Sequence, residues 1–190
     1  MSTTFGNLIE RFAQRRVLVL GDMVADEYLI GTPSRISREA PVLILHHAGS
    51  FIRPGGATNA AYNLSGLRAG TRVIGVIGDD EMGTRLKAAL ATAGIDDSGL
   101  LVDSARPTTT STRVVARGTQ GVQQQIVRID RLESKPVPGS LRDAMIEATC
   151  RLMQEVDVLL ISDYTHGVIS PELIDACIPV ARARGVKIVV

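Results

Sequence analysis

A chain of 190 residues, 45% of them hydrophobic, has the length and apolar content of one ordinary domain with a sizeable core, which excludes a disordered segment. Its 21 Lys and Arg against 20 Asp and Glu leave a formal charge of +1, with no basic run long enough to follow a phosphate backbone; a small soluble ligand is expected and nucleic acid is not. No apolar run approaches the roughly 20 residues that span a bilayer, and MSTTFGNLIERFAQRR lacks the uninterrupted apolar stretch of a signal peptide, so no membrane partner is expected and the cytoplasm is the expected location.

The first element, RRVLVLGD, is a short, continuously apolar, β-branched run, the pattern of a strand buried on both faces, and it ends in Gly21-Asp22. Asp22 and Asp26 follow it in GDMVADEY, placed where a carboxylate accepts strong hydrogen bonds from hydroxyl groups, although loop aspartates also serve as caps or stay solvated. From Tyr28 to Arg53 short mixed runs separated by turn residues show no helical stripe and read as strands. Within them His46 and His47 are adjacent, so on a strand they face opposite ways and do not chelate one ion; no metal site is expected anywhere in the chain.

RPGGATNAA comes next, with Ala57, Ala60, Ala61, Leu64 and Leu67 at helical spacing toward a core and Asn59 and Asn63 one turn apart on a flank. Gly55-Gly56 before this helix reads in two ways: as a plain turn, or as backbone bare of Cβ that an oxygen-rich ligand approaches at a helix N-terminus. TRVIGVIGDD then EMGTRLKAALATAGI repeats the strand-then-helix grammar. TTTSTRVVARGTQGVQQQIVRID, rich in Thr, Val and Gln around Gly118-Thr119-Gln120-Gly121, reads as an antiparallel hairpin. Alternation on its return strand puts Gln124, Ile126, Arg128 and Asp130 on one face.

ESKPVPGS reads as a loop before a helix over LRDAMIEATCRLMQEV, with Ser140 as its expected N-cap. VDVLLISDY is another core strand, and Asp163 lies at its carboxyl end, where α/β proteins place working groups. His166 in SDYTHG is a hydrogen-bonding or cationic candidate near a phosphate, or else a surface histidine. SPELIDACIPVARARG leads to VKIVV, a core strand at whose last residue the sequence stops, which gives the expectation of a portion of a longer protein. Cys150 and Cys177 lie in apolar helical patterns and read as buried thiols of a reducing compartment. The fold class expected is α/β: a mainly parallel sheet with helices on both faces and a small β-sheet inserted as a lid.

Neither a G-x-x-x-x-G-K-[ST] segment nor a G-x-G-x-x-G after the first strand is present, which leaves out a P-loop and a dinucleotide fingerprint. The order of the remaining pieces resembles the ribokinase-like, phosphofructokinase-B type carbohydrate kinases. GDMVADEYLIGTPSRISREAPV and RPGGATNAAYNLSGLRAG are most similar to the heptose 7-phosphate kinases of lipopolysaccharide-core biosynthesis, and VIGVIGDDEMG, QQQIVRIDRLE and LLISDYTHG extend the likeness over nearly the whole chain.

The resemblance implies transfer of the γ-phosphoryl group of ATP, with Mg2+, to the anomeric hydroxyl of a heptose 7-phosphate, and a lid that also forms a homodimer contact. It implies that Asp22 and Asp26 bind sugar hydroxyls, that Gly55 and Gly56 let the sugar approach, and that Asn59 hydrogen-bonds to it. Arg128 and Asp130 would lie where the lid returns over the sugar, Asp163 between the sugar and the transferring group, and Arg35, Arg53 and His166 as phosphate or lid contacts. Residues 1–190 would be the N-terminal part of one ribokinase-like domain, with lid segments at about 28–53 and 108–130.

Two departures stand out. His166 replaces the lysine of the usual S-D-Y-x-K-G, exchanging a group of unperturbed pKa near 10.4 for one near 6.5 and so weakening a phosphate contact. No G-A-G-D, the family's anion hole and catalytic aspartate, occurs, so the catalytic base and the nucleotide-binding part, with most of the ATP and Mg2+ site, are expected outside this portion. The alternatives are a non-catalytic sugar-binding or dimerisation module, and a kinase of the same fold acting on another sugar phosphate or a nucleoside.

Overall fold

The computed structural model describes residues 5–118 and 123–190. After a short helix α1 (Phe5–Glu10), strand β1 (Arg16–Gly21) runs through the middle of a parallel sheet and is buried from Val17 to Gly21. Its neighbours are β4 (Gly70–Gly78) and β8 (Val158–Ser162), with β5 (Asp96–Asp103) and β9 (Lys187–Val189) outside them in the order β5-β4-β1-β8-β9. All four pairings are parallel, so every return of the chain is a crossover.

The side chains of β1 divide by parity. Val17 and Val19 join Val73 and Ile77 beneath α2 (Gly56–Gly66) and α3 (Glu81–Thr92), packing on Ala57, Ala61, Leu86 and Leu90. Leu18 and Leu20 join Ile74, Leu159 and Ile161 beneath α4 (Gly139–Leu152) and α5 (Pro171–Ala183), packing on Met145, Ala148, Leu173, Cys177 and Ala181. Helices thus cover both faces, as the apolar runs lead one to expect. Ser170 caps α5 by accepting from the Leu173 N–H, whereas α4 begins at Gly139 after Pro138 with no side-chain cap; Ser140 lies inside its first turn and is not the cap.

The second sheet has the order β3-β2-β6-β7, from β2 (Met23–Ile36), β3 (Leu43–Gly55), β6 (Thr109–Arg117) and β7 (Gln123–Arg131). β2 and β3 form one antiparallel hairpin, β6 and β7 another, and β2 joins β6 in parallel. β2 starts at Met23, five residues before the expected strand region, so Asp26 is a strand residue and not part of a loop. The alternation in this stretch is obscured by irregularities at Ile30/Gly31 and Pro33/Arg35. On β7 a further irregularity skips Ile126 and pairs Gln125 with Val115, so the expected face holds for Arg128 and Asp130 and breaks below them. The turn expected at Gly118-Thr119-Gln120-Gly121 lies, apart from Gly118, outside the described residues.

The base of this lid is fastened to the core. Asp80, in the GDDEMG segment, caps α3 by accepting from the Gly83 N–H (2.9 Å) and reaches the Thr108 N–H (3.0 Å) at the start of β6. On the face toward α3, Glu27 accepts from Arg85 at 3.3 Å and from the Thr112 hydroxyl at 2.8 Å.

Candidate functional site

A cleft of about 280 Å3 opens where the lid meets the carboxyl ends of β1 and β8. The lid supplies Val24, Asp26, Ser111, Arg113 and Arg128; the entry to α2 supplies Gly55, Gly56 and Asn59; the segment after β8 supplies Tyr164 and His166. A larger groove of about 540 Å3 runs beside β3, between α2 and α3, but Arg53 is its one charged lining residue among those described. Convergent acids, bases and amides favour the smaller cleft as the place where a polar ligand is read.

Pairing in the second sheet builds the polar roof. Asp26 lies opposite Ser111 on β6, Ser111 opposite Asp130 on β7, and Arg113 opposite Arg128. Arg113 Nη1 donates to Asp26 Oδ1 at 2.6 Å. Arg128 grips Asp130 through Nε and Nη2, the shortest contact being 2.7 Å, and the Ser111 hydroxyl adds a bond of 2.8 Å to the same carboxylate. These bonds from Arg128 and Ser111 hold the Asp130 carboxyl below its ordinary range, and Asp130 in turn raises the Arg128 guanidinium.

Asp22 is placed otherwise than expected. It is 1% exposed, and its carboxylate accepts from the backbone N–H groups of Tyr164 (2.7 Å), His166 (3.3 Å) and Val168 (3.4 Å). A buried carboxylate committed to these donors holds the segment after β8 against the end of β1 and is not presented to a ligand. The reading of Asp22 as a hydroxyl-binding acid is therefore corrected: it positions Tyr164 and His166, which do line the cleft.

The two glycines are likewise explained first by the protein itself. A Cβ on Gly55 would stand 2.8 Å from Asp26 Cγ and 2.9 Å from Oδ2, so the gap left by this glycine is filled by the Asp26 carboxylate. Gly56 has φ +52°, and a Cβ there would meet Val24 Cγ2 at 2.6 Å and the Asp22 carbonyl at 2.7 Å. One N-terminal donor of α2, the Ala57 N–H, is already bonded to the Asp22 carbonyl at 3.0 Å, and the buried Thr58 hydroxyl donates to the Gly55 carbonyl at 2.6 Å. The close approaches at both glycines are made by the chain itself, and both glycines also line the cleft.

Asn59 is exposed on the cleft side of α2, with Asn63 one turn away at 3.5 Å. Asp163 does not line the cleft; its Oδ1 accepts the Thr165 N–H at 2.7 Å and supports the turn in which Thr165 has φ +62°. Arg53 lies opposite Asp26 on β3, on the face that carries Tyr28 and Phe51, with its guanidinium over their stacked rings; it borders the larger groove and is not among the residues lining the cleft. Arg35, opposite Ile44 near the far end of the hairpin, is exposed and absent from the cleft. Val24, Ser111, Arg113 and Tyr164 also line the cleft and were not expected from the sequence; the alternation of Ser111 and Arg113 in TSTRVV is a usable signal once β6 is known to lie beside Asp26.

Residues 14–189 match the model of the pfkB family carbohydrate kinases. The chain is 42% identical over 187 residues to the Bifunctional protein HldE of Geobacter metallireducens, covering 97% of this chain and 37% of that protein. It is 40% identical over 168 residues to the Bifunctional protein HldE of Helicobacter pylori, covering 88% of this chain and 35% of that one. The chain therefore spans little more than a third of the length of these curated relatives. Among solved structures, phosphofructokinase-2 from Escherichia coli superposes with a TM-score of 0.64 at 18% identity, over 92% of this chain and 52% of that one. A carbohydrate kinase from Agrobacterium tumefaciens gives 0.61 at 22% identity, over 92% and 52%; both likenesses establish the shared ribokinase-like fold. With the family match extending over nearly its whole length, the chain belongs to the pfkB family of carbohydrate kinases.

Proposed function

We propose that this chain carries the acceptor side of an ATP-dependent kinase that phosphorylates the anomeric hydroxyl of a heptose 7-phosphate, in the cytoplasm. The observation that carries the reading is the convergence, in one cleft under the second sheet, of Asp26, Asn59, Arg128 and His166. In this reading Asp26 Oδ2 accepts from a sugar hydroxyl, Asn59 donates to or accepts from a second one, and Arg128 and His166 face the substrate phosphate. A half-buried ionised acceptor forms stronger hydrogen bonds than a neutral one, which suits recognition of a polyhydroxyl ligand. The relatives named HldE support the choice of heptose over other acceptors.

The phosphoryl donor proposed is ATP with Mg2+, which supplies the transferring group when bound. No described residue is assigned to it: no His, Cys, Asp or Glu group of metal-holding size forms among the described residues, and no G-A-G-D segment is present in the 190. The work left to these residues is binding, orienting and excluding water from the acceptor, which in phosphoryl transfer is a large share of catalysis. The exposed apolar side chains of the lid, among them Ile36, Leu43, Ile126 and Ile129, support a further reading of this sheet as a homodimer contact.

The test is an assay of the full-length gene product with Mg-ATP and a panel of sugar phosphates, sugars and nucleosides. Heptose 7-phosphate is expected to be converted to the doubly phosphorylated sugar with ADP release. Turnover of another acceptor alone would replace the substrate, and turnover of none would remove the kinase reading.

A further inference from the structure

We propose that Arg113 is the positioning residue that fixes the acceptor-binding carboxylate of Asp26, an inference resting on the reading of the cleft as the sugar site. Parallel pairing of β6 with β2 sets Arg113 opposite Tyr28, one same-face step beyond Asp26. From there its guanidinium reaches back, with Nη1 2.6 Å from Asp26 Oδ1 and its central carbon 5.5 Å from the Tyr28 ring centre. The Tyr28 ring is itself held, stacked on Phe51 at 4.9 Å with the planes 8° apart. The cation thus lies between a carboxylate and an aromatic face that is itself packed on a second ring.

The consequence is orientation. The terminal torsion of an aspartate is broad and nearly two-fold, so an unrestrained carboxylate presents either oxygen in many directions. Here Oδ1 is tied to Arg113, and Oδ2 lies over Gly55, in the space a Cβ would take at 2.9 Å. Among the described residues Oδ2 accepts no hydrogen bond, which leaves it as the oxygen for a ligand hydroxyl. The two side chains are about equally half-buried, at 22% and 23% exposure, so the pair is shielded enough for its geometry to matter and open enough to meet substrate. Arg128 differs: its Nε and Nη2 are bonded to Asp130, and among the described residues it makes no hydrogen bond to Asp26. The assignment of position falls to Arg113.

The experiment uses the full-length protein, with sugar-phosphate binding followed by calorimetry without ATP and turnover followed with ATP. Arg113→Met is expected to raise the sugar-phosphate Kd and KM about tenfold or more, the scale of one charge-assisted hydrogen bond, while the KM for ATP and the far-UV spectrum stay as in the parent. Arg113→Lys, which restores the charge without the planar fork, is expected to recover part of the loss. In an Asp26→Asn background, Arg113→Met is expected to add little, because the group it positions is gone. Unchanged sugar affinity in Arg113→Met, or full multiplicative losses in the double variant, would overturn the proposal, the latter showing direct contact with substrate. If Arg113→Met does not fold, the Lys variant decides: sugar affinity equal to the parent's would overturn it. A parent that neither binds nor turns over any sugar phosphate removes the reading of the cleft itself, whereas a normal parent with a normal Arg113→Met removes only the positioning role.

Discussion

Replacing Asp22 by alanine takes away the acceptor shared by the Tyr164, His166 and Val168 N–H groups. The Tyr164 bond, at 2.7 Å to an ionised oxygen, is of the kind worth roughly 1.5–3 kcal/mol. The other two are long, at 3.3 and 3.4 Å, but the Val168 donor is buried and would be left unpaired, a cost of about 1–3 kcal/mol. Water reaches the Tyr164 and His166 ends and offsets part of the loss, so about 3–4 kcal/mol is the expected sum. For a chain of this size that lowers Tm by roughly 6–16 °C. Asp22→Asn, which keeps one acceptor oxygen and loses the charge, should fall between. Thermal unfolding by circular dichroism measures the Tm shift, and amide hydrogen exchange at residues 164–168 reports the loosening of that segment. A Tm within about 1 °C of the parent, together with unchanged exchange at Tyr164, would refute the view that this acid is the fastener of the segment after β8.

Gly55→Ala drives a Cβ into the Asp26 carboxylate and should weaken sugar binding more than stability, whereas Gly56→Ala, at φ +52° and against Val24 and the Asp22 carbonyl, should cost roughly 2–4 kcal/mol of stability in denaturant unfolding; equal effects would contradict the distinction. Burial is the largest influence on Asp80 and pushes its carboxyl up, but hydrogen bonds from Thr108 and Gly83 outweigh it and leave the group below its ordinary 3.8. Its contribution is thus complete above that value and fades as pH falls through the lower folded value, so the stability gap between the parent and Asp80→Asn, of about 1 kcal/mol at neutral pH, should close in acid; a gap constant with pH would contradict it. Burial, with Cys150 alongside, pushes the Cys177 thiol up to about 12, so an alkylating reagent at pH 8 should leave it unmodified until the protein is unfolded, and rapid native labelling by mass spectrometry would count against this packing.

The core was readable because a strand buried on both faces has no choice but to be apolar throughout, as in VLVL of β1 and VLLI of β8. The amphipathic stripe of α2 was equally plain, with Ala57 and Ala61 fully buried. The lid was readable as β structure but not in its extent, since bulges and two partly exposed faces erase the alternation from which a strand's ends are judged. Its parallel β2–β6 pairing joins residues more than eighty positions apart, and nothing local in TSTRVV announces that Arg113 will meet Asp26. Of the two early acids, the strand-exit position marks Asp22 and Asp26 alike; only the return of the chain at Tyr164 decides that Asp22 is consumed by backbone donors. The glycine pair was recognisable as a close approach, but the sequence does not say what approaches.

In the proposed complex a sugar phosphate lies beneath the lid against Asp26 Oδ2. A crystal structure of the full-length protein grown with heptose 7-phosphate tests it directly. Sugar density is expected in the 280 Å3 cleft, with one hydroxyl within hydrogen-bond reach of Asp26 and another of Asn59. Density in the groove beside β3 between α2 and α3, with the Asp26 carboxylate left untouched, would contradict it.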